Sequence, residues 1–415
     1  MVPATSYLPR LVDGPLADLF SQLPALLVIG PRATGKTTTA RRLARSVVRL
    51  DVPAEAAAFR FDADAALRAI PEPVLLDEWQ EVPELMGAVR RAVDEDPRPG
   101  RFLLTGSARA RRGSEAWSGI GRVVNVVMHG LSARETAGRI EEPGILDRLG
   151  HADLAVFPVP PDPPDLRGYI DLALRGGFPE PVLRLAGSAS QAWLDTYVDQ
   201  LVTRDAETLD GARDPVLLRR YFETLCVNTA GIVDDKTIYD AAGISRMTAG
   251  AYERLLSDLF VFEALPAWSN NRLSRLVKRP KRYLTDPSLV AAALRLDERA
   301  VLRDGNLLGR LIDTFVLSQI RPEAQLSTLR PRLYHLREKD GRHEIDLLAE
   351  LAGGDVIAME IKATAAPSAA DARHLVWLRD QLGPRLRAGA VLHAGPRPFG
   401  LDERIFALPI CSLWS

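Results

Sequence analysis

An eight-residue loop between an apolar run and a helical stretch constrains the fold of this chain more than any other feature. The run ALLVI is followed directly by GPRATGKT, from Gly30 to Thr37, and then by TTARRLAR. The loop fits the pattern G-x-x-x-x-G-K-[ST], whose glycines let main-chain N–H groups point at phosphate oxygens. A strand, this loop and a helix in that order predict a parallel α/β sheet with an anion site at the end of its first strand.

The residues of this loop supply the groups that a nucleoside triphosphate and its magnesium ion require. Gly30 and Gly35 allow the chain to curl, Lys36 supplies a cation for the phosphates, and the Thr37 hydroxyl can bind Mg²⁺. Lysine is scarce in this chain, with only six among the 53 basic residues. A lysine at this position of the motif therefore supports a real phosphate loop over a chance match. We therefore predict ATP and Mg²⁺ as cofactors, the alternative being an ordinary glycine turn. The predicted nucleotide-binding residues are Gly30, Pro31, Arg32, Ala33, Thr34, Gly35, Lys36, Thr37 and Thr38.

An acidic pair ends a later apolar run, VLLDEWQ. Burying a charge costs free energy, so two acidic residues at the end of an apolar strand suggest that they have a functional role at its carboxyl end. Asp77 is placed to hold the magnesium shell, and Glu78 is placed to polarise the attacking water. An acidic pair after a strand is weak evidence by itself, because many strands end in acidic turns. Together with the phosphate loop, the pair predicts the magnesium and water-activating residues of a nucleotide site.

A third run, RFLLTGSAR, ends in Thr105 and Ser107, which could sense the γ-phosphate from a neighbouring strand. The alternative is a plain strand end with turn residues. Four arginines lie beyond it, and one of them could reach a nucleotide in its own subunit or the next as an arginine finger. For any single one, a solvated basic loop is the simpler interpretation. These arginines are Arg109, Arg111, Arg112 and Arg122.

Residues 25 to 130 alternate short apolar runs with helical spacing, which predicts strands covered by helices. One helix is indicated by the spacing of its apolar residues from Leu85 to Val93. The predicted strands are Ala25 to Ile29, Val47 to Asp51, Val74 to Leu76, Phe102 to Thr105 and Val123 to Val127.

Length and composition predict a multidomain globular protein. The chain has 415 residues, of which 47% are hydrophobic and 26% charged. A formal net charge of −1 excludes nucleic-acid binding by bulk positive charge and leaves local patches. Cys226 and Cys411 support neither a disulfide framework nor a cysteine zinc site. No apolar run is long enough to cross a bilayer and no signal-peptide pattern begins the chain, so we expect a cytoplasmic protein with no membrane partner.

A segment rich in proline and glycine, from about residue 141 to 165, predicts a boundary after the first domain. We predict a P-loop ATPase domain over 1–150, a helical and winged-helix domain over 166–285, and a nuclease-like α/β domain over 300–415. In the middle domain a helix, the turn AAGIS, a second helix that Ser245 could cap, and the extended FVFEALPAW are consistent with a winged helix. Helix pairs of this kind are also common in domains that bind no DNA.

The stretch from Asn270 to Arg282 is basic and contains no acidic residue. Such a stretch could neutralise several DNA phosphates beside the predicted wing, although a run of charges is often only a solvated loop. The predicted DNA-binding residues are Arg272, Arg275, Lys278, Arg279, Lys281 and Arg282.

Three charged residues near the C-terminal end interrupt apolar strands. Asp346 lies in EIDLLAEL, and Glu360 and Lys362 share one face of VIAMEIKAT. If a hairpin joins these strands, Asp346 and Glu360 would bind Mg²⁺ and Lys362 would steady a nucleophilic water, as in phosphodiester hydrolysis. Three interpretations stay open: an active nuclease, an inactive DNA-binding relic, and a structural charge pair.

Several segments resemble a prokaryotic family of AAA+-like P-loop ATPases joined to a C-terminal domain of unknown function. The resemblance implies an AAA+-like sheet, a winged helix and a region similar to the PD-(D/E)xK nuclease core. That core takes an acid from a preceding helix, where GRLIDTFVL offers Asp313 in place of the expected glutamate. The segments are YLPRLVDGPL, GPRATGKT, LLDEWQEVPEL, FLLTGSA, GGFPE at 176–180 and YVDQLVTRD at 197–205.

Two functions from different classes follow. The first is an ATP-hydrolysing enzyme that acts on DNA, including branched or broken DNA, with nucleotide-driven movement of its other domains. The second is a nucleotide-gated regulatory switch that binds a protein partner and has no nuclease activity. A small-molecule kinase is a third alternative. It is less favoured because the acidic pair suits water activation better than phosphate transfer to a metabolite. A homo-oligomer is an open alternative because an arginine finger can come from a neighbouring subunit.

Overall fold

Five parallel strands form the sheet that carries the phosphate loop. In this computed structural model, residues 7–107, 121–151, 153–159, 162–205, 214–271, 275, 278–338 and 341–415 are described. The chain divides into two units, Met1–Gly130 with Leu256–Val261 and Leu131–Leu255 with Phe262–Ser415.

The sheet of the first unit has the strand order β2-β3-β4-β1-β5, and every neighbouring pair is parallel. The carboxyl ends of all five strands therefore meet at one edge. Each strand agrees with its predicted position to within two residues at either end. The strands are β1 Ala25–Ile29, β2 Ser46–Arg49, β3 Val74–Asp77, β4 Phe102–Gly106 and β5 Val124–Val127.

Helices cover both faces of this sheet because successive strand residues point in opposite directions. Leu27 packs in the core cluster that includes Leu85 and Val89, whereas Leu26 packs in the cluster that includes Leu16 and Phe20. The strands β1, β3 and β4 are consequently buried along their whole length. The helices are α1 Asp13–Phe20, α2 Lys36–Ala40, α3 Pro53–Phe61, α4 Ala63–Arg68 and α5 Leu85–Glu95.

The helix after the phosphate loop is shorter than predicted. Helix α2 ends at Ala40, and a single 3₁₀ turn follows over Arg41–Leu43 before the chain becomes extended at Ala44. Three consecutive threonines weaken helix propensity in this segment. The amides of Arg45 and Ser46 both bond to the carbonyl oxygen of Pro73, so the chain has already joined the sheet where the helix was expected to continue.

The second unit contains a helical part and a mixed six-stranded sheet. The sheet order is β12-β13-β11-β10-β9-β8, with β8, β9 and β10 antiparallel and β10, β11 and β13 parallel. The strands are β6 Phe262–Leu265, β7 Lys281–Leu284, β8 Arg332–Glu338, β9 His343–Glu350, β10 Val356–Lys362, β11 Leu386–His393, β12 Phe399–Asp402 and β13 Ile405–Pro409. The helices are α6 Ala133–Thr136, α7 Ile145–Leu149, α8 Leu166–Arg175, α9 Pro179–Leu183, α10 Gly187–Gln200, α11 Pro215–Val227, α12 Asp235–Ala242, α13 Arg246–Asp258, α14 Pro287–Leu294, α15 Glu298–Arg303, α16 Gly305–Leu326 and α17 Arg373–Leu382.

The predicted order of helix, turn, helix and extended segment is present in the helical part. Helix α12 ends at Ala242 and is capped by Gly243, which has φ +67, and α13 begins after Ser245. The Ser245 hydroxyl accepts a hydrogen bond from the Thr248 amide at 3.1 Å, which confirms the predicted cap. Strands β6 and β7 then form an antiparallel pair. The winged-helix assignment itself stays a prediction. No helix of the described residues has the length and apolar character that a bilayer span requires.

Candidate functional site

The phosphate loop follows β1 at the carboxyl edge of the first sheet, and its shape depends on glycine. Gly30 has φ +152 and Gly35 has φ +93. A Cβ atom on Gly30 would lie 2.0 Å from the carbonyl oxygen of Met128 in the neighbouring segment. A side chain there is sterically excluded, so the first glycine of the motif is required by packing as well as by the turn.

Lys36 is buried within the loop and bonds to the loop's own carbonyl groups. Its Nζ donates to the oxygens of Gly30, at 3.1 Å, and Pro31, at 2.6 Å. Burial lowers the pKa of Lys36 to about 8, against the opposing effect of the Glu78 and Asp77 carboxylates. Phosphate oxygens are stronger acceptors than carbonyls, so a triphosphate in this loop would draw the ammonium group away from them.

Thr37, Asp77 and Thr105 meet at the same edge of the sheet. The hydroxyl of Thr37 donates to Asp77 Oδ1 at 2.7 Å, and the hydroxyl of Thr105 donates to the same oxygen. Asp77 is buried. A threonine hydroxyl beside a carboxylate is the oxygen donor set that Mg²⁺ takes beside nucleotide phosphates, so these residues fit the ion that the loop implies.

Glu78 is held at the mouth of this site by its backbone and by two side chains. Its φ of +55 and ψ of +52 are left-handed, which is uncommon for glutamate. Its amide donates to Thr105 Oγ1 at 3.3 Å. Its Oε2 accepts hydrogen bonds from Ser107 Oγ, at 3.2 Å, and from Gln80 Nε2. The carboxylate therefore has a defined orientation beside the loop, as a group that positions a water requires.

The remaining loop residues shape the loop or link it to β4. Arg32 Nε donates to Ser107 Oγ at 3.4 Å, and Thr34 Oγ1 donates to the Pro31 oxygen at 2.9 Å. Ala33 adopts φ +59, and Thr38 lies in α2. Gln80 was missed by sequence reasoning. Its only signal was its place in the turn directly after the acidic pair.

Arg10 is a second residue that the sequence reasoning missed. Its guanidinium group is buried and donates to the carbonyl oxygens of Thr34, at 2.9 Å, His129, at 2.9 Å, and Gly130, at 3.2 Å. It thus links the phosphate loop to the segment that follows β5. Arg10 occurs in YLPRLVDGPL, a segment whose only sequence signal was the family resemblance.

Arg122 does not lie at the nucleotide site of its own chain. It lies two residues before β5, and β5 runs parallel to β1, so Arg122 is at the amino edge of the sheet, opposite the loop. Its exposed side chain pairs with Asp94 at 2.8 Å. The prediction that it contacts the nucleotide within one chain is wrong for this reason. The other candidate fingers, Arg109, Arg111 and Arg112, lie outside the described residues.

Three of the six predicted DNA-binding residues are turned inward. The Arg275 guanidinium is mostly buried and forms two bonds to Glu350, at 2.6 and 2.8 Å. Arg282 is buried and pairs with Asp235 and with Glu253. Lys281 is buried between two further carboxylates. These three charges are desolvated and neutralised within the protein, so the prediction that they bind DNA phosphates is corrected.

Two other members of that stretch lie nearer the surface. Arg279 is exposed and pairs with Asp234 at 2.5 Å, and Lys278 is half-buried. Arg272 lies outside the described residues.

The C-terminal charged residues come together as the sequence indicated, and two more residues join them. Asp346 lies on β9, and Glu360 and Lys362 lie on β10. Lys362 Nζ donates to Glu360 Oε2 at 3.1 Å. Lys281 Nζ, from β7, donates to Asp346 Oδ1 at 2.9 Å and also bonds to Asp313, from α16, at 2.5 Å. We call Asp313, Asp346 and Glu360 the carboxylate cluster.

Burial and the two lysines set the charges within the carboxylate cluster. Burial raises the pKa of Asp346, but the Lys281 and Lys362 ammonium groups and the Ile361 amide outweigh it and lower that pKa to about 2. Burial raises the pKa of Glu360 well above its usual value, and the neighbouring Asp346 raises it further. In the described residues, no group of three or more His, Cys, Asp or Glu side chains is arranged to hold a metal ion. The Mg²⁺ site predicted at Asp346 and Glu360 stays a prediction, and Lys281 and Lys362 already donate hydrogen bonds to these two carboxylates.

Comparisons with known proteins agree with the N-terminal geometry. Residues 22–137 match a family model described as an AAA domain. The sheet and loop are thus like those of a P-loop ATPase. Residues 166–300 and 308–413 match models described as domains of unknown function, DUF8612 and DUF4143.

The similar proteins and the similar solved structure do not identify a function for this chain. An uncharacterized protein of Mycobacterium tuberculosis and another of Mycobacterium bovis are each 29% identical over 391 residues, which is 93% of this chain and 80% of the relative. The Walker-type ATPase of Pyrococcus abyssi has a solved structure that is 16% identical, with a TM-score of 0.40 over 68% of this chain and 94% of its own.

Proposed function

We propose that this protein binds ATP with Mg²⁺ and hydrolyses it. The observation that carries the proposal is the meeting of Thr37, Asp77 and Thr105 beside the buried Lys36, with Glu78 oriented at the same edge. When bound, Mg²⁺ would neutralise charge that develops on the transferred phosphate. Thr37 and Asp77 would hold that ion, Lys36 would contact phosphate oxygens, and Glu78 would accept a proton from water or orient it. An acid held by side-chain hydrogen bonds suits water better than a metabolite hydroxyl, which argues against a small-molecule kinase.

The acidic residue at 78 gives the direct test. Glu78→Gln keeps the size and hydrogen-bonding shape of the side chain but loses its negative charge, so ATP binding should persist while turnover falls by at least about a hundredfold. Lys36→Ala should instead lose ATP binding. Glu81→Gln, an exposed acid three residues later, is the matched control and should turn over ATP as the wild type does. Equal turnover in Glu78→Gln and wild type would remove Glu78 from the proposed role.

We infer DNA as the partner on which this ATPase acts, through α13 rather than through the stretch from 270 to 282. Arg246, Gly250 and Arg254 are four residues apart along α13 and therefore share one face. Arg246 and Arg254 are exposed, and neither has an ion pair among the described residues. Gly250 between them presents no side chain that would keep a phosphate backbone at a distance.

The acidic residues around α13 are largely occupied. Glu253 on the same helix pairs with Arg282 and accepts a hydrogen bond from the Tyr221 hydroxyl at 3.2 Å. Asp240 on α12 pairs with the exposed Lys236. From Arg246 to Arg254, α13 thus exposes two arginines, and the one acidic residue between them, Glu253, is paired, in a chain whose net charge is close to zero.

Salt dependence tests the DNA proposal. In the double variant Arg246→Gln, Arg254→Gln the slope of log affinity against log salt should become shallower by about 2, since each phosphate contact contributes about 0.9. Arg303→Gln, an exposed arginine on α15, is the control and should leave the slope unchanged. The wild type is tested against single-stranded, duplex and branched DNA in the same way. If it binds none of them and DNA does not change its rate of ATP turnover, the nucleotide-gated switch with a protein partner explains the protein better.

A further inference from the structure

The positive charge in the carboxylate cluster comes from the protein itself. We propose that Lys281 is the resident cation of this cluster and that it occupies the place of a divalent metal ion. The proposal concerns the second unit alone and does not depend on the proposed ATPase activity. It departs from the sequence prediction, in which Asp346 and Glu360 bind Mg²⁺.

The first support is the position of Lys281 between two acids from separate elements. Its side chain is 3% exposed, and its Nζ bridges Asp313 on α16 and Asp346 on β9. A buried ammonium group without partners would be unstable, so the lysine and the two carboxylates depend on one another. Because Lys281 is on β7, this contact joins the β6–β7 hairpin to α16 and to the C-terminal sheet.

The second support is that all four oxygens of these two carboxylates already accept a hydrogen bond. On Asp313, Oδ2 accepts from Lys281 and Oδ1 accepts from the Tyr283 hydroxyl at 2.9 Å. On Asp346, Oδ1 accepts from Lys281 and Oδ2 accepts from the Ile361 amide at 3.0 Å. Mg²⁺ demands oxygen ligands at about 2.1 Å in near-octahedral geometry. A metal ion bridging Asp313 and Asp346 would have to take the position that the buried Lys281 ammonium group already holds.

This assignment changes what the C-terminal sheet can do. Without a metal ion to activate water and stabilise the leaving group, the carboxylate cluster cannot cleave phosphodiesters by the metal-assisted route. Its role becomes the attachment of the hairpin to the sheet, through ion pairs shielded from solvent.

Counting bound manganese tests the proposal on the intact wild-type protein. Mn²⁺ is titrated without nucleotide, and free ion is followed by electron paramagnetic resonance. The expected result is the same Mn²⁺ binding curve for wild type and for Asp346→Asn. One Mn²⁺ ion that binds the wild type and is lost in Asp346→Asn would overturn the proposal.

Thermal unfolding tests the role of Lys281 independently. Lys281→Met leaves two buried carboxylates without their cation, so we expect a fall in Tm on the order of 10 °C. Adding Asp313→Asn should restore part of that loss, since it removes one of the orphaned charges. The control is Lys236→Met, which removes an exposed lysine paired with Asp240 and should change the Tm by no more than about 1 °C.

Two results would count against Lys281 as the resident cation. One is a Tm for Lys281→Met equal to that of Lys236→Met. The other is a double variant with Asp313→Asn that is less stable by the full sum of the single changes. If Lys281→Met does not accumulate as folded protein, the manganese titration of the wild type decides alone.

Discussion

Arg10 holds the phosphate loop from outside the motif, and its removal should weaken ATP binding without unfolding the domain. The substitution Arg10→Met keeps the length and apolar stem of the side chain and deletes its guanidinium group. Three carbonyl oxygens, those of Thr34, His129 and Gly130, would lose a charged donor. Thr34 is itself in the phosphate loop, so the loss acts directly on the shape of the nucleotide site.

The size of the effect follows from these bonds. A hydrogen bond from a charged donor contributes about 1.5 to 3 kcal/mol, and the three are not additive because one flexible group makes them all. If about 3 kcal/mol is lost from the loop conformation that binds ATP, affinity falls by about a hundredfold. Isothermal titration calorimetry with ATP and Mg²⁺ measures this directly.

Arg42→Met is the matched control for Arg10→Met. Arg42 is also an arginine near the loop, but its side chain is 52% exposed, lies over the Tyr7 ring and pairs with Asp13. We expect its ATP affinity to stay within about twofold of the wild type, as for other exposed ion pairs. A folded Arg10→Met protein that binds ATP as tightly as Arg42→Met would refute the assignment of Arg10.

Two further predictions concern the loop itself. Because the pKa of Lys36 is about 8 in the nucleotide-free protein and phosphate charge should raise it, ATP binding above pH 8 requires uptake of a proton. Affinity measured by calorimetry from pH 7 to 9.5 should therefore fall by up to about tenfold per pH unit above 8, and a flat profile would contradict this. Gly30→Ala should lose ATP binding because its Cβ would meet the Met128 oxygen, whereas Gly14→Ala, with no atom within 4 Å of its Cβ, should bind ATP normally.

The nucleotide site was largely readable from the sequence, since its parts come from contiguous residues or from strand ends. GPRATGKT supplies the loop and Lys36 within eight residues, and the ends of β3 and β4 supply Asp77 and Thr105. Parallel strands bring their carboxyl ends to one edge, so three separate segments converge without further information. The prediction that Arg122 contacts the nucleotide within one chain was wrong because Arg122 precedes its strand and so lies at the other edge of the sheet.

The basic stretch shows where sequence reasoning stops. It contains no acid, so its residues looked available to phosphate, yet Arg275 and Lys281 find their carboxylates on β9 and α16, more than thirty residues away along the chain. Local composition reports only neighbours in sequence, whereas the pairing of a charge depends on neighbours in space.

The sequence by itself determined the parallel sheet, the phosphate loop and the acidic pair that faces it, because strand periodicity and loop chemistry are local properties. Only the tertiary structure decided that Arg10 supports the loop and that Lys281 lies between Asp313 and Asp346. The physical reason is that burying a charge is stable only beside its partners, and partners from distant segments become neighbours only when the chain folds.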